Sequence, residues 1–130
     1  MKTNRKNFLK YKSNYPQINM RGSNIHNTSY IIGDVSINKN VTINKYAVIR
    51  ADDASINIGK NVIIDDYSTV HIASNGMGTS IGDNVKIGKF CVIHACKIES
   101  GCCIGDYSVV MDGSYLGENS KLTAGTLVPP

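Results

Sequence analysis

The sequence predicts an all-β chain wound into a parallel solenoid, and three observations carry that prediction. Aliphatic residues recur at steps of six: Ile31, Ile37, Ile43, Ile49; then Ile58, Ile64, Val70; then Ile81, Ile87, Ile93; then, after one step of five, Ile98, Ile104, Val110, Leu116, Leu122 and Val128. Four residues after most of them stands a small or β-branched residue, as at Val35, Ala47, Ser68, Cys91, Ser108 and Thr126. Glycine often follows the aliphatic directly, as in Ile58-Gly59, Ile81-Gly82, Ile87-Gly88 and Ile104-Gly105.

A helix needs apolar spacings of three and four, and a meander of antiparallel strands needs turn signals every 8–12 residues; a period of six satisfies neither. It suits a coil in which each hexad forms one side of a triangular prism and points its aliphatic and its small residue inward. Three hexads then close one turn, and turns stack through parallel ladder bonds about 4.8 Å apart.

The elements follow in order. Residues 1–30 lack the repeat and form a basic leader: Lys2, Arg5, Lys6, Lys10, Lys12 and Arg21 stand there with no acidic partner. Within it, residues 1–12 are expected to be mobile and dispensable for stability. Residues 31–130 form the coil. The step of nine between Ile49 and Ile58 and the step of eleven between Val70 and Ile81 predict loops near Asp53–Ser55 and Ala73–Ser80.

Composition excludes several function classes. The 130-residue chain is 42% hydrophobic and 18% charged, which fits one globular domain. No apolar run reaches the roughly 18 residues of a membrane span, and no secretory h-region opens the sequence, so a cytoplasmic location is expected. The net charge of +4 belongs to the leader, which lacks interleaved aromatics and reads as solvated, with no nucleic acid or membrane partner. Cys91, Cys96, Cys102 and Cys103 contain no CxxC spacing, so reduced thiols filling small inward positions are expected, with only Cys103 accessible.

Three hexads per turn stack Ile49, Val70 and Ile93, so the residues after them form a column: Arg50, His71, His94. Two histidines one ladder spacing apart are able to converge on one zinc ion at about 2.0–2.1 Å each.

The segments "GDVSINKNVTINKYAVIRADDASINIGKNVIIDDYSTVHI", "IGDNVKIGKFCVIHACKI" and "GDYSVVMDG…LTAGTLVPP" resemble γ-class carbonic anhydrases and their relatives among the hexapeptide-repeat proteins. The resemblance covers residues 30–130 and includes the five-residue step after Ile93. It implies a left-handed parallel β-helix, a homotrimer, and a divalent metal (zinc, iron or cobalt) held by three histidines at each subunit interface for reversible hydration of carbon dioxide to bicarbonate. His71 and His94 match two of those ligands. Lys89 occupies the position of the third, the one that crosses from a neighbouring chain. The family's Arg-Gly-Asp becomes Arg50-Ala51-Asp52, which keeps the interface ion pair, and Asp53 and Asp52 match charged neighbours of the site able to accept protons. Its Gln-Asp pair becomes Asp65-Asp66, with Asp65 where the family places the amide that orients metal-bound hydroxide. The chain stops at Pro130, short of a C-terminal helix common among relatives.

A protonated lysine opposes such a metal. At an effective dielectric of 20 and 4 Å, a unit charge facing a dication costs roughly 8 kcal/mol. Lys89 therefore deprotonates and ligates, swings aside, or replaces the ion and pairs with Asp65, Asp66 or Asp52. Hydration is then weak or lost. Two other readings stand beside this one: a hexapeptide acyltransferase using His71 or His94 as base beside an acyl-CoA groove, and a non-catalytic trimeric scaffold. Metal analysis separates the first from the third, and acetyl-CoA binding separates the second from both.

Overall fold

In the computed structural model, which describes residues 5–130, the chain is a coil of short parallel strands. They are β1 (Phe8–Leu9), β2 (Gln17–Ile18), β3 (Asn24–Ile25), β4 (Tyr30–Ile37), β5 (Thr42–Ile43), β6 (Val48–Ile58), β7 (Ile63–Ile64), β8 (Thr69–His71) and β9 (Thr79–Ile81). There follow β10 (Lys86–Ile87), β11 (Val92–His94), β12 (Lys97–Ile98), β13 (Cys103–Ile104), β14 (Val109–Val110), β15 (Tyr115–Leu116), β16 (Lys121–Leu122) and β17 (Leu127–Val128). The result is a β-solenoid of about six turns with no helix among the described residues.

Three ladders make the faces of the prism. One runs through β4, β6, β8, β11, β14 and β17; a second through β6, β9, β12 and β15; the third through β3, β5, β7, β10, β13 and β16. β6 belongs to two faces because it bends around a corner: Ile49 pairs with Val70 on one side, and Ile56 pairs with Thr79 on the other. The six-residue aliphatics point inward and form one continuous core, with Ile31, Ile43, Ile49, Ile64, Ile87 and Ile93 fully buried. Ser68 and Ser108 share that interior because their hydroxyls donate to backbone carbonyls, of Gly88 and Thr123 respectively. Cys91, Cys96 and Cys102 are buried free thiols and Cys103 is exposed.

The first predicted loop is a bulge rather than an excursion. Gly33 pairs with Ala51 and Val35 with Ile56, so residues 52–55 oppose a single residue without breaking β6. The second is a true loop, turned by the Gly76 amide donating to the Ala73 carbonyl at 3.1 Å and the Ala73 amide donating to the Met77 carbonyl at 2.9 Å.

The expectation that residues 1–12 are mobile is corrected for residues 5–12; residues 1–4 lie outside the described ones. β1 adds to β4 in parallel, with Phe8 opposite Ile31, and Phe8 is only 3% exposed. Arg5 lies 4.7 Å from the Phe8 ring centroid and donates to the Ile25 carbonyl. The buried Asn7 amide donates to the carbonyls of His26 and Ser29. A cap needs to cover one open cross-section of the prism, not to continue its repeat, so it carries no hexad signal.

The corners differ in chemistry. One column of left-handed turn residues is Asn40, Asn61, Asn84, Gly101 and Asn119, the types that tolerate positive φ. Another is Tyr46, Tyr67, Phe90 and Tyr107, with φ of 59°, 62°, 56° and 63°. Left-handed backbone costs roughly 1–2 kcal/mol per L-residue. Stacking at centroid spacings of 5.1, 4.9 and 5.2 Å offsets it by about 0.5–1.5 kcal/mol per pair.

Candidate functional site

The register of β6, β8 and β11 delivers the predicted column. His94 sits directly opposite His71, and Ile49 opposite Val70 places Arg50 above His71. All three side chains point outward, because their aliphatic neighbours point inward.

Their hydrogen bonds have one direction. Arg50 only donates, and its Nε and Nη2 both lie 3.3 Å from His71 Nε2, so that nitrogen accepts. The His71 proton then sits on Nδ1 and donates to His94 Nε2 at 3.2 Å. This places the His94 proton on Nδ1, where it donates to Asp112. Asp52 closes the other end, its Oδ2 3.3 Å from Arg50 Nε and 3.2 Å from His71 Nε2. The cluster is thus a carboxylate–imidazole–imidazole–carboxylate chain. It is part-buried, with His71 22% and His94 32% exposed at the side chain.

Within a single chain these side chains do not make up a metal site. All four ring nitrogens are engaged, a guanidinium lies against one of them, and among the described residues no group of three or more His, Cys, Asp or Glu is arranged to hold an ion.

The other predicted site residues lie elsewhere on the chain. Asp65, Asp66 and Lys89 stand at the aromatic corner. Asp65 Oδ1 accepts from Asn44 at 3.0 Å and from the Asp66 amide at 2.8 Å; Asp66 Oδ1 accepts from the Lys45 amide at 3.0 Å. Partial burial works to raise the Asp65 carboxyl, but those bonds and the charges of Lys89 and Lys86 outweigh it and hold the group below its ordinary value. The Lys89 amide donates to Asp106 at 2.8 Å. Asp53 pairs with Lys12 at 3.3 Å on the exposed bulge and makes no bond to either histidine.

Asp112 is the functional residue that the sequence reading missed. It stands two residues past Val110, whereas Asp52 stands three past Ile49; the unequal offset conceals that both carboxylates reach the same imidazole column.

Around the corner from His94 and Asp112 runs an open groove of about 550 Å³, lined by Asn57, Ser80, Lys97 and Tyr115 on successive rungs and by Met77 of the loop.

Comparison with known proteins agrees with this architecture. Residues 78–110 match the family described as bacterial transferase hexapeptide (six repeats). The crystal structure of a hexapeptide transferase family protein from Anaplasma phagocytophilum is 35% identical, with a TM-score of 0.76 over 93% of this chain and 74% of that one. A putative acetyltransferase of Bacillus cereus is 26% identical, with a TM-score of 0.65 over 92% of this chain and 76% of the other. An uncharacterized protein of Dictyostelium discoideum is 39% identical over 102 residues, which is 75% of this chain and 42% of that protein. The chain therefore spans less than half the length of that curated relative.

Proposed function

This chain belongs to the hexapeptide transferase family, and we propose that within it the chain is a γ-carbonic-anhydrase-like, trimeric, cytoplasmic member in which metal-dependent hydration of carbon dioxide is lost. The observation that carries this reading is the saturated column: Arg50, His71, His94 and Asp112 bond to one another in series, leaving no ring nitrogen for an ion. Lys89, at the position matching the third histidine, adds a cation where that family needs a neutral donor.

Assembly is supported by the surface of the prism. The face bearing the histidines also presents an outward column of Tyr30, Val48, Thr69, Val92, Val109 and Leu127, set by the pairing of β4, β6, β8, β11, β14 and β17. The aromatic corner continues it. The equivalent column on the second face is Asn57, Ser80, Lys97 and Tyr115. One apolar face and corner on a three-sided prism suit head-to-tail closure into a ring, in which the corner of one copy, with Lys89, meets the imidazole column of the next.

Metal analysis of protein purified without chelators, together with stopped-flow carbon dioxide hydration, tests the reading. The expected result is substoichiometric metal and a rate no greater than buffer. Stoichiometric zinc with hydration above buffer overturns it.

Acyl transfer is the second reading, favoured by one observation. The groove lies next to His94 and Asp112, separated from them only by the small corner residues Ala95 and Gly113, and an imidazole backed by a carboxylate is the arrangement of a general base. Saturable acetyl-CoA binding and acetyl transfer to an amine or hydroxyl acceptor distinguish this reading from the first.

A further inference from the structure

Asn75 is the one asparagine in the sequence that is followed directly by glycine. It stands in the loop joining β8 to β9, where both Asn75 and Gly76 are exposed. Its side chain is folded back on its own backbone, with Oδ1 accepting from the Met77 amide at 3.1 Å. Such a turn imitates a backbone turn with the side-chain carbonyl in place of a main-chain one, and so folds Cγ toward the Gly76 nitrogen. The Met77 amide is then placed to stabilise the negative charge that Oδ1 takes on when Cγ is attacked.

Gly76 is suited to be the nucleophile. No Cβ crowds its nitrogen, its φ is 88°, and a Cβ built there would find no heavy atom within 4 Å. Its N–H donates to the Ala73 carbonyl at 3.1 Å, a bond within an exposed loop that opens without unfolding the coil. Asn19 is an internal control. Its Oδ1 makes the same turn, to the Arg21 amide at 3.0 Å, but the next residue is Met20, whose side chain packs against the core. The Asp112-Gly113 pair differs in chemistry: an ionised carboxylate is a poor electrophile, this one is bonded to His94, and the Gly113 amide donates to the Ala95 carbonyl at 2.7 Å.

We propose that Asn75 is a site of spontaneous deamidation, which converts this loop position to aspartate and isoaspartate. Solvent base takes the Gly76 amide proton, and the nitrogen attacks Cγ. As the N–Cγ bond forms, the Cγ–Nδ2 bond breaks, and the departing nitrogen takes a proton from water to leave as ammonia. Water then opens the cyclic imide at either carbonyl. Both products carry a new carboxylate, and isoaspartate also lengthens the main chain between His71 and Thr79 by one methylene.

Incubation of the full chain at mildly alkaline pH, followed by digestion and fragmentation mass spectrometry against an unincubated sample, tests the proposal. Asn75 should gain about 1 Da, an acid for an amide, in two chromatographic forms, one of them a substrate for protein isoaspartate methyltransferase. Asn19 should not change. Gly76→Ala should slow the gain about tenfold or more, because a methyl crowds the nitrogen and disfavours the positive φ. Asn75→Gln should abolish it, because its ring would need one more atom, and an unchanged melting temperature shows that each variant is folded. No gain at Asn75 overturns the proposal, as does aspartate without isoaspartate, or a rate that Gly76→Ala leaves unchanged. None of these outcomes depends on metal content, hydration activity or assembly, so this proposal and the proposed function fail independently.

Discussion

His71 Nδ1 lies 3.2 Å from His94 Nε2, and this one bond joins two carboxylates on different turns of the coil. Asp52 and Arg50 fix the first ring; Asp112 fixes the second. The chain therefore has a definite tautomer at each histidine. Asp112→Asn should remove the acceptor that holds the His94 proton on Nδ1. Nitrogen-15 NMR of the imidazoles should then show His94 as a tautomer mixture. Denaturant unfolding should record a loss of about 1 kcal/mol, modest because the pair is partly exposed. A single unchanged Nδ1–H tautomer would show that Asp112 does not orient the ring.

Lys89→His should raise zinc affinity by orders of magnitude. Zinc would have to displace the proton of the His71 Nδ1–His94 Nε2 bond and turn both rings toward the ion. A neutral ligand would replace a repelling cation at the neighbouring corner. Adding Asp65→Gln should raise carbon dioxide hydration further, since an amide donates as well as accepts. Calorimetry showing tight zinc binding in the wild type, unchanged by Lys89→His, would contradict the reading.

Val92→Asp should break assembly. The substitution puts a charge at the centre of the apolar outward column without touching the core, because Val92 points away from Ile93. Sedimentation should report a trimer for the wild type and a folded monomer of 14.1 kDa for the variant. A wild-type monomer at micromolar concentration would remove the interface and the contribution of Lys89 with it.

Phe8→Ala should destabilise by about 3–5 kcal/mol, the usual cost of emptying a buried aromatic site, and deletion of residues 1–12 should cost at least as much. Thermal or urea unfolding measures it. An unchanged midpoint would mean that the cap does not cover the first turn in solution.

Burial pushes the Cys96 thiol up from 9.0 to about 12. Its folded pKa exceeds the unfolded one, so the associated stability is complete below about pH 9 and is lost as pH rises toward 12. Unfolding midpoints should fall across that window, and Cys96→Ala should flatten the fall. Iodoacetamide at pH 8 should label Cys103 alone in the folded chain.

Assignment of the coil needed only the sequence. A six-residue alternation of aliphatic and small residues has one economical burial, and the register that stacks Ile49, Val70 and Ile93 follows from counting three hexads per turn, which is why Arg50, His71 and His94 could be placed in one column beforehand. Local spacing carries such information because ladder pairing repeats it rung by rung. Asp112, the Phe8 cap and the groove were decided by tertiary structure. Asp112 reaches His94 through an offset unlike that of Asp52, Phe8 is buried by closing an open cross-section that has no repeat of its own, and the groove exists because an insertion, a pair of small corner residues and Tyr115 meet across rungs far apart in sequence. Each depends on where side chains end in space, and a period along the chain records only where they begin.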